Sequence, residues 1–403
     1  MKKAAFAAIA LLAAGAARAG AIDDMLGARL AESPLHYAEA AAAVAAESKE
    51  GSILASYALA VVSDEPDAPP AAAMDAEARA ETLKNARRIV SAIAKDAQNP
   101  DWRIAKCLLT LEKKVGSGPS ALKAAADTDY PPALVGYGTY LLSPLMKPGA
   151  KMSRWLYPKA REGFGCFGRA AAQNDPNGYY CLAVCYLQGW GCGKDVAQAL
   201  ANLNKAALQS HPKALNLLGE KMLETGGDPV VAVRNFAQSA ALGNARGKYL
   251  YAKALHEGTG VATNDVLAAR LLEESAAKRL PEAMYSLGRV LYRSDDTNSQ
   301  ARAVSLWREC ASLHGHPQSI DALGEALLEG RGTEKDERAA VFCFNTAAGA
   351  GDPGAMLHLA ACFEIGAGGL KKSHWNANWW RVKSNAAKGD RNAKVWLASH
   401  RLE

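Results

Sequence analysis

From residue 133 onward, small and apolar residues recur along the chain with two superposed periods. A small residue follows a larger apolar one at Tyr137-Gly138, Leu182-Ala183, Leu218-Gly219, Tyr251-Ala252, Leu287-Gly288, Leu323-Gly324 and Leu359-Ala360, so the successive intervals are 45, 36, 33, 36, 36 and 36 residues. Five positions before each of these anchors stands another small residue: Ala133, Gly178, Ala214, Gly247, Ala283, Ser319 or Ala355. Three positions after stands Leu141, Tyr186, Met222, Leu255, Leu291, Leu327 or Phe363. Offsets of minus five, minus one and plus three trace one side of an α-helix, so each anchor predicts a helix with a close-packed face.

Each unit then carries a turn and a second helix. Gly189-Trp-Gly191 leads to Asp195, Gly258-Thr-Gly260 to Asn264 and Asp265, and Gly330-Arg-Gly332 to Asp336. Glycine ends a helix in the left-handed conformation, and Asp or Asn supplies the acceptor or first-turn charge that starts the next. The second helix shows a large apolar residue followed by small ones: Phe236 with Ala240 and Ala241, Trp307 with Ala311, Phe344 with Ala347 and Ala348. Because the glycine pair recurs in phase with the helix pairs and no strand precedes it, it reads as a bend and not as a phosphate cradle.

The combined pattern, A-x-x-x-L-G-x-x-[YL]-x-x-G-x-G followed by an acidic helix start, Trp or Phe, and paired alanines, resembles the Sel-one-like repeat, a relative of the tetratricopeptide repeat. The resemblance is clearest from about Ala133 to Glu403. It implies an all-α fold, a right-handed α-solenoid of stacked antiparallel helix pairs, serving as a protein-interaction scaffold. The expected division is a signal peptide over 1–19, a helical region of degenerate repeats or a cap over 20–131, repeats over 132–366, and a C-terminal repeat remnant and cap over 367–403.

Outside the regular repeats the chain is alanine-rich and helical in pattern, with a break at Asp64-Glu-Pro-Asp-Ala-Pro-Pro70 and a second-helix fragment at Leu122-Lys-Ala-Ala-Ala126. The long interval places nine extra residues within Ser143 to Gly165, where Lys147, Lys151, Arg154, Lys159 and Arg161 mix with Trp155 and Tyr157. Such a loop either binds an acidic partner or packs its aromatics back onto the stack.

The N-terminus changes the expected compartment. Lys2 and Lys3 precede an apolar stretch from Ala4 to Ala14, and Ala17-Arg-Ala19 forms a small-x-small cleavage site, the pattern of a bacterial secretory signal peptide. The run is too short to span a bilayer, and no lipid-accepting cysteine follows it. A soluble periplasmic or secreted protein is expected. The formal charge of +6 falls to +3 without Lys2, Lys3 and Arg18, too little to argue for nucleic acid. With 49% hydrophobic and 22% charged residues, wholesale disorder is excluded.

Eight cysteines in an exported chain invite a disulfide reading. Cys166 to Cys185 and Cys343 to Cys362 are both separated by 19 residues, each from a second helix to two positions beyond an anchor. These are the candidate bridges. Cys181, one turn from Cys185, competes with them, and the alternative is small buried thiols in tight helix contacts. Cysteine-rich secreted relatives carry disulfides, but at a closer spacing than this chain has.

Catalytic motifs are scarce. Gly163-Phe-Gly-Cys-Phe-Gly168 fits G-x-G-x-x-G but enters a repeat helix. Ser120-Ala-Leu-Lys123 fits S-x-x-K, the nucleophile motif of penicillin-recognising enzymes, without the S-D-N and K-T-G companions. No metal site or cofactor is expected. A binding face is a better candidate: at offsets minus three, plus one and plus four the first helices present Tyr249, Lys253 and His256 in one unit and Tyr285, Arg289 and Tyr292 in the next, flanked by Asn216, Glu220, Asp321 and Glu325. If first helices line a concave groove, as the resemblance implies, aromatics beside cations suit an extended peptide or acidic polymer. The favoured reading is an exported, non-enzymatic scaffold for a protein or peptide partner, including an envelope component. The alternative is a cell-wall-directed, β-lactam-binding enzyme of the cysteine-rich repeat type, resting on Ser120 and Lys123.

Overall fold

The computed structural model describes residues 34–49, 52–62, 72, 74–99, 101–112, 119–147 and 149–400; the signal-peptide segment and the Pro-rich break lie outside them. Among the described residues there are twenty α-helices and no strand. Two units divide between Ala214 and Leu215. The first contains α1 (Pro34–Lys49), α2 (Ile53–Val62), α3 (Ala76–Ile93), α4 (Trp102–Glu112), α5 (Pro119–Ala126), α6 (Pro131–Leu142), α7 (Leu156–Ala172), α8 (Pro176–Gln188) and α9 (Val196–Leu208). The division falls within α10 (Pro212–Glu224). The second continues with α11 (Pro229–Ala241), α12 (Ala245–Glu257), α13 (Asp265–Ala277), α14 (Pro281–Tyr292), α15 (Thr297–His314), α16 (Pro317–Glu329), α17 (Glu337–Gly349), α18 (Pro353–Ile365), α19 (His374–Ala387) and α20 (Arg391–Ser399). Each helix packs mainly on its sequence neighbours, as expected of stacked hairpins.

The helix ends follow the residues that punctuate them. Gly189, Gly258 and Gly330 close α8, α12 and α16 in the left-handed conformation. The side chains of Asp195, Asn264 and Asp336 then accept from the backbone N–H groups of Gln198, Leu267 and Ala339 at 2.9, 3.0 and 2.9 Å. The same three residues donate their own N–H groups back to Tyr186, Leu255 and Leu327, three positions after each anchor, at 3.0, 3.0 and 2.9 Å. Each seven-residue turn is thereby closed at both ends. The second glycine of the turn is needed for space as well as for angle: Gly332 has φ +70° and a Cβ there would lie 2.6 Å from the Gln300 carbonyl oxygen.

The anchors explain the core. All seven anchors, and all seven small residues five positions before them, are buried. A Cβ on Gly288 would overlap Trp307 Nε1, and one on Gly324 would sit 2.6 Å from Phe344 Cε1. Trp307 and Phe344 are fully buried, and the Trp307 indole N–H donates to the Tyr285 carbonyl at 3.2 Å. Where the anchor carries a methyl, the second helix places a smaller partner: Ala252 shares its core cluster with Leu272. A large ring on one helix is thus accommodated by removing the Cβ from the other. Gly163, by contrast, lies inside α7 against the Gly138 carbonyl, so the G-x-G-x-x-G match is helix interior and no phosphate loop.

Neither expected bridge is seen: Cys166, Cys185, Cys343 and Cys362 are free thiols. Cys166 faces Ala126, Leu134, Tyr137 and Leu141, whereas Cys185 belongs to a different cluster with Leu142, Ala160 and Phe167. Cys343 has Arg308 and Asp321 as charged neighbours, while Cys362 packs with Ala340, Phe344 and Leu359. Equal separation in the repeat gives equivalent positions, but a disulfide also requires the two Cβ atoms to face each other at about 4 Å. Burial pushes the Cys166 thiol up to about 11 and Cys185 higher still. Denatured protein should therefore alkylate at Cys166, Cys185, Cys343 and Cys362 without reductant, while native Cys166 and Cys185 should react slowly. Mass mapping that recovers linked peptides would contradict the thiol assignment.

Candidate binding face of the first helices

In the second unit the first helices of successive repeats are tied side by side by charges one repeat apart. Arg246 on α12 bridges Glu220 on α10 at 2.7 Å and Glu282 on α14 at 3.3 Å. Arg289 on α14 reaches Glu325 on α16 at 3.0 Å. His358 on α18 contacts Asp321 through Nδ1 at 2.8 Å and Glu325 through Nε2 at 3.2 Å. The Tyr292 hydroxyl donates to Glu329 at 3.0 Å. The result is a ladder of alternating sign across α10, α12, α14, α16 and α18.

Electrostatics in this ladder are set by burial and by the pairs themselves. Hydrogen bonds to Asp321 and Glu325 hold the His358 imidazole protonated, with its pKa raised to about 10 against burial. Glu325 is lowered, first by His358 and then by Arg289. Asp321 moves the other way, because its burial outweighs the pull of His358. His358 and Glu325 shift together as a cationic imidazole against a carboxylate, while the buried Asp321 is pushed toward its neutral form. Phe344 of α17 closes the site from below, its ring centroid 5.0 Å from that of His358.

The six residues singled out by offset do not share one open surface. Tyr292 is buried at 8% exposure, 5.1 Å from Trp307 centroid to centroid and covered by the Arg331 guanidinium at 4.7 Å. Its offset of plus four lies only about 40° around the helix from the anchor, and the anchor faces the second helix, so this flank borders the core. Asn216, at offset minus three, is also buried. Tyr285 is half-buried beside His316, with ring centroids 5.8 Å apart. Tyr249 rests partly buried on the cluster that contains Met284 and Leu287. His256 is exposed but turns toward the second helix, its Nδ1 2.6 Å from Asp265. Arg289 is engaged by Glu325, so it does not form a cation pair with Lys253. Lys253 is exposed and pairs only within its own helix, with Glu257 3.9 Å away.

Arg246 and His358 were missed from the sequence because neither falls on the chosen offsets. The signal that would have found them is opposite charge one repeat apart, as in Arg246 with Glu282 and Asp321 with His358. In the first unit Lys123 directs its ammonium at Glu162, 4.0 Å away, which also accepts from the Tyr137 hydroxyl at 3.1 Å. No group of three or more His, Cys, Asp or Glu arranged to hold a metal occurs among the described residues.

Paired helices in phase, a close-packed anchor in each, and side chains linking consecutive first helices define a helical-repeat scaffold. Residues 176–211, 212–244, 245–279, 281–313, 317–352 and 353–380 match the Sel1 repeat, and the chain belongs to the Sel1-repeat family. Such repeats imply protein partners and are typically non-catalytic scaffolds. The chain is similar to the crystal structure of a protective antigen present in uropathogenic Escherichia coli strains and displaying an SLR fold, with 21% identity, a TM-score of 0.57, and coverage of 94% of this chain and 82% of that one. It is also similar to a Sel1 repeat protein from Oxalobacter formigenes, with 22% identity, a TM-score of 0.51, and coverage of 57% and 93%. At these identities the likeness concerns the fold.

Proposed function

We propose that this protein is an exported Sel1-repeat scaffold that holds an extended acidic peptide, part of a protein partner, along the first helices of its second unit. The observation that carries the reading is Lys253: one turn from the half-buried Tyr249, it keeps an exposed ammonium whose pair with Glu257 is long at 3.9 Å, while Arg246, Arg289 and His358 are held by carboxylates of neighbouring first helices at 2.7–3.0 Å. The committed pairs hold the surface in place, and the open cation with its aromatic neighbour is left to meet a ligand.

The test is capture by purified protein, compared between wild type and Lys253→Glu. Reversing this charge should weaken capture and its salt dependence by about tenfold or more. Stability should change by less than about 1 kcal/mol, because the side chain is exposed. Arg289→Glu is unsuited to the comparison, since it would set a third carboxylate against Asp321 and Glu325. Capture at wild-type strength by Lys253→Glu would remove this face as the site. The β-lactam-binding alternative gains nothing from Lys123, whose charge is turned toward Glu162.

A further inference from the structure

The segment from the end of α6 through the first turns of α7 is held at both ends and open between them. Leu142 and Leu145 are buried on one side and Ala160 on the other. Between these points the chain exposes Met146, Met152, Trp155 and Tyr157, with Trp155 at 85% and Tyr157 at 50%. The expectation that these aromatics fold back onto the stack is therefore not met. Around them stand Lys147, Lys151, Arg154, Lys159 and Arg161, all exposed. The one carboxylate of the segment, Glu162, is engaged by Lys123 and Tyr137.

Leaving an indole in water beside uncompensated cations is unfavourable in an isolated surface, since both the apolar area and the mutual repulsion go unrelieved. An anionic lipid surface relieves both together: lysine and arginine meet the headgroups, while tryptophan, tyrosine and methionine enter the interfacial zone above the acyl chains. Two turns carry the first of these side chains, and the opening turns of α7 carry Tyr157, Lys159 and Arg161. The Leu156 N–H donates to the Ser153 carbonyl at 3.0 Å and the Ala150 N–H to that of Lys147 at 3.1 Å. No helix among the described residues is long and apolar enough to cross a membrane, so the contact is peripheral. We infer that Met146, Lys147 and residues 149–161 form a docking surface for anionic phospholipid bilayers, with Trp155 as the inserted residue. This surface is separate from the first-helix face and does not depend on it.

The experiment is sedimentation of the full chain with vesicles of phosphatidylglycerol and phosphatidylcholine in equal parts, against phosphatidylcholine alone. Binding to the anionic vesicles is expected to fall with salt, and the zwitterionic vesicles should bind far less. Lys151→Gln with Arg154→Gln and Lys159→Gln should lower the partition coefficient on the order of a hundredfold. Trp155→Ala with Tyr157→Ala should lower it by about tenfold or more. Both sets change exposed side chains, so far-UV circular dichroism and melting should match wild type. Brominated acyl chains should quench part of the tryptophan emission, and Trp155→Phe should abolish that part. Unchanged binding by the aromatic variant, equal binding to zwitterionic vesicles, or absence of quenching would overturn the assignment. So would binding to soluble polyglutamate without vesicle binding, which would give the surface to an acidic polypeptide.

Discussion

Trp307→Ala should destabilise the second unit by about 3–5 kcal/mol, measured by urea unfolding followed in the far ultraviolet. Trp307 is fully buried, lies against Gly288, and is the largest ring in the core of this unit. Gly288→Ala should also be destabilising, by about 1–3 kcal/mol, although alanine is ordinarily the better helix former by about 1 kcal/mol. The added methyl has no room, because it would overlap the indole nitrogen. The two changes should compensate when combined as Gly288→Ala with Trp307→Leu, which reproduces the native pairing of Ala252 and Leu272 in another repeat. A double-mutant cycle should then show favourable coupling. A neutral or stabilising Gly288→Ala would refute the account of the anchors given above.

His358→Gln should cost about 2 kcal/mol near neutral pH, the scale of a hydrogen-bonded charge pair discounted for its partial exposure. The folded state holds the imidazole proton more tightly than the unfolded chain, with the pKa raised from 6.5 to about 10 by Asp321 and Glu325. The stabilisation is therefore complete below about pH 6.5 and is lost as pH rises through about 10. The difference between wild type and His358→Gln should shrink over that window. The groups facing the imidazole are Asp321 and Glu325 on α16, with Arg289 of α14 paired to Glu325. An imidazole resonance that titrates near its ordinary value would sink the prediction. His211 shows the opposite sign: burial, aided by Lys213, lowers it to about 4, and its Nδ1 accepts from the Ala214 N–H at 3.1 Å as a neutral ring.

The repeat was legible because it is written in local terms. Anchor spacing places the helices, glycine and aspartate place their ends, and a Gly anchor paired with a ring on the following helix states the packing of each hairpin. The caps at Asp195, Asn264 and Asp336 appear where those residues stand. The binding face was harder to read. Choosing residues by offset took the exposed Lys253 and the half-buried Tyr249 and Tyr285, but also Tyr292, whose flank turns into the core. It passed over Arg246 and His358, whose importance lies in residues one repeat away.

Local chemistry in the sequence thus determined the all-α class, the 36-residue unit, the positions of turns and the small residues at helix contacts, since each depends on neighbours within a few turns of chain. Tertiary structure alone decided which polar side chains are open. Lys253 and Arg289 occupy the same offset in consecutive repeats, yet Lys253 stays exposed and Arg289 is claimed by Glu325 from the next helix. The cysteines follow the same rule: Cys166 and Cys185 have the separation of a bridge, but their side chains pack into different clusters. Pairing depends on the direction of side chains across a stack, and that direction is settled by the packing of neighbouring helices.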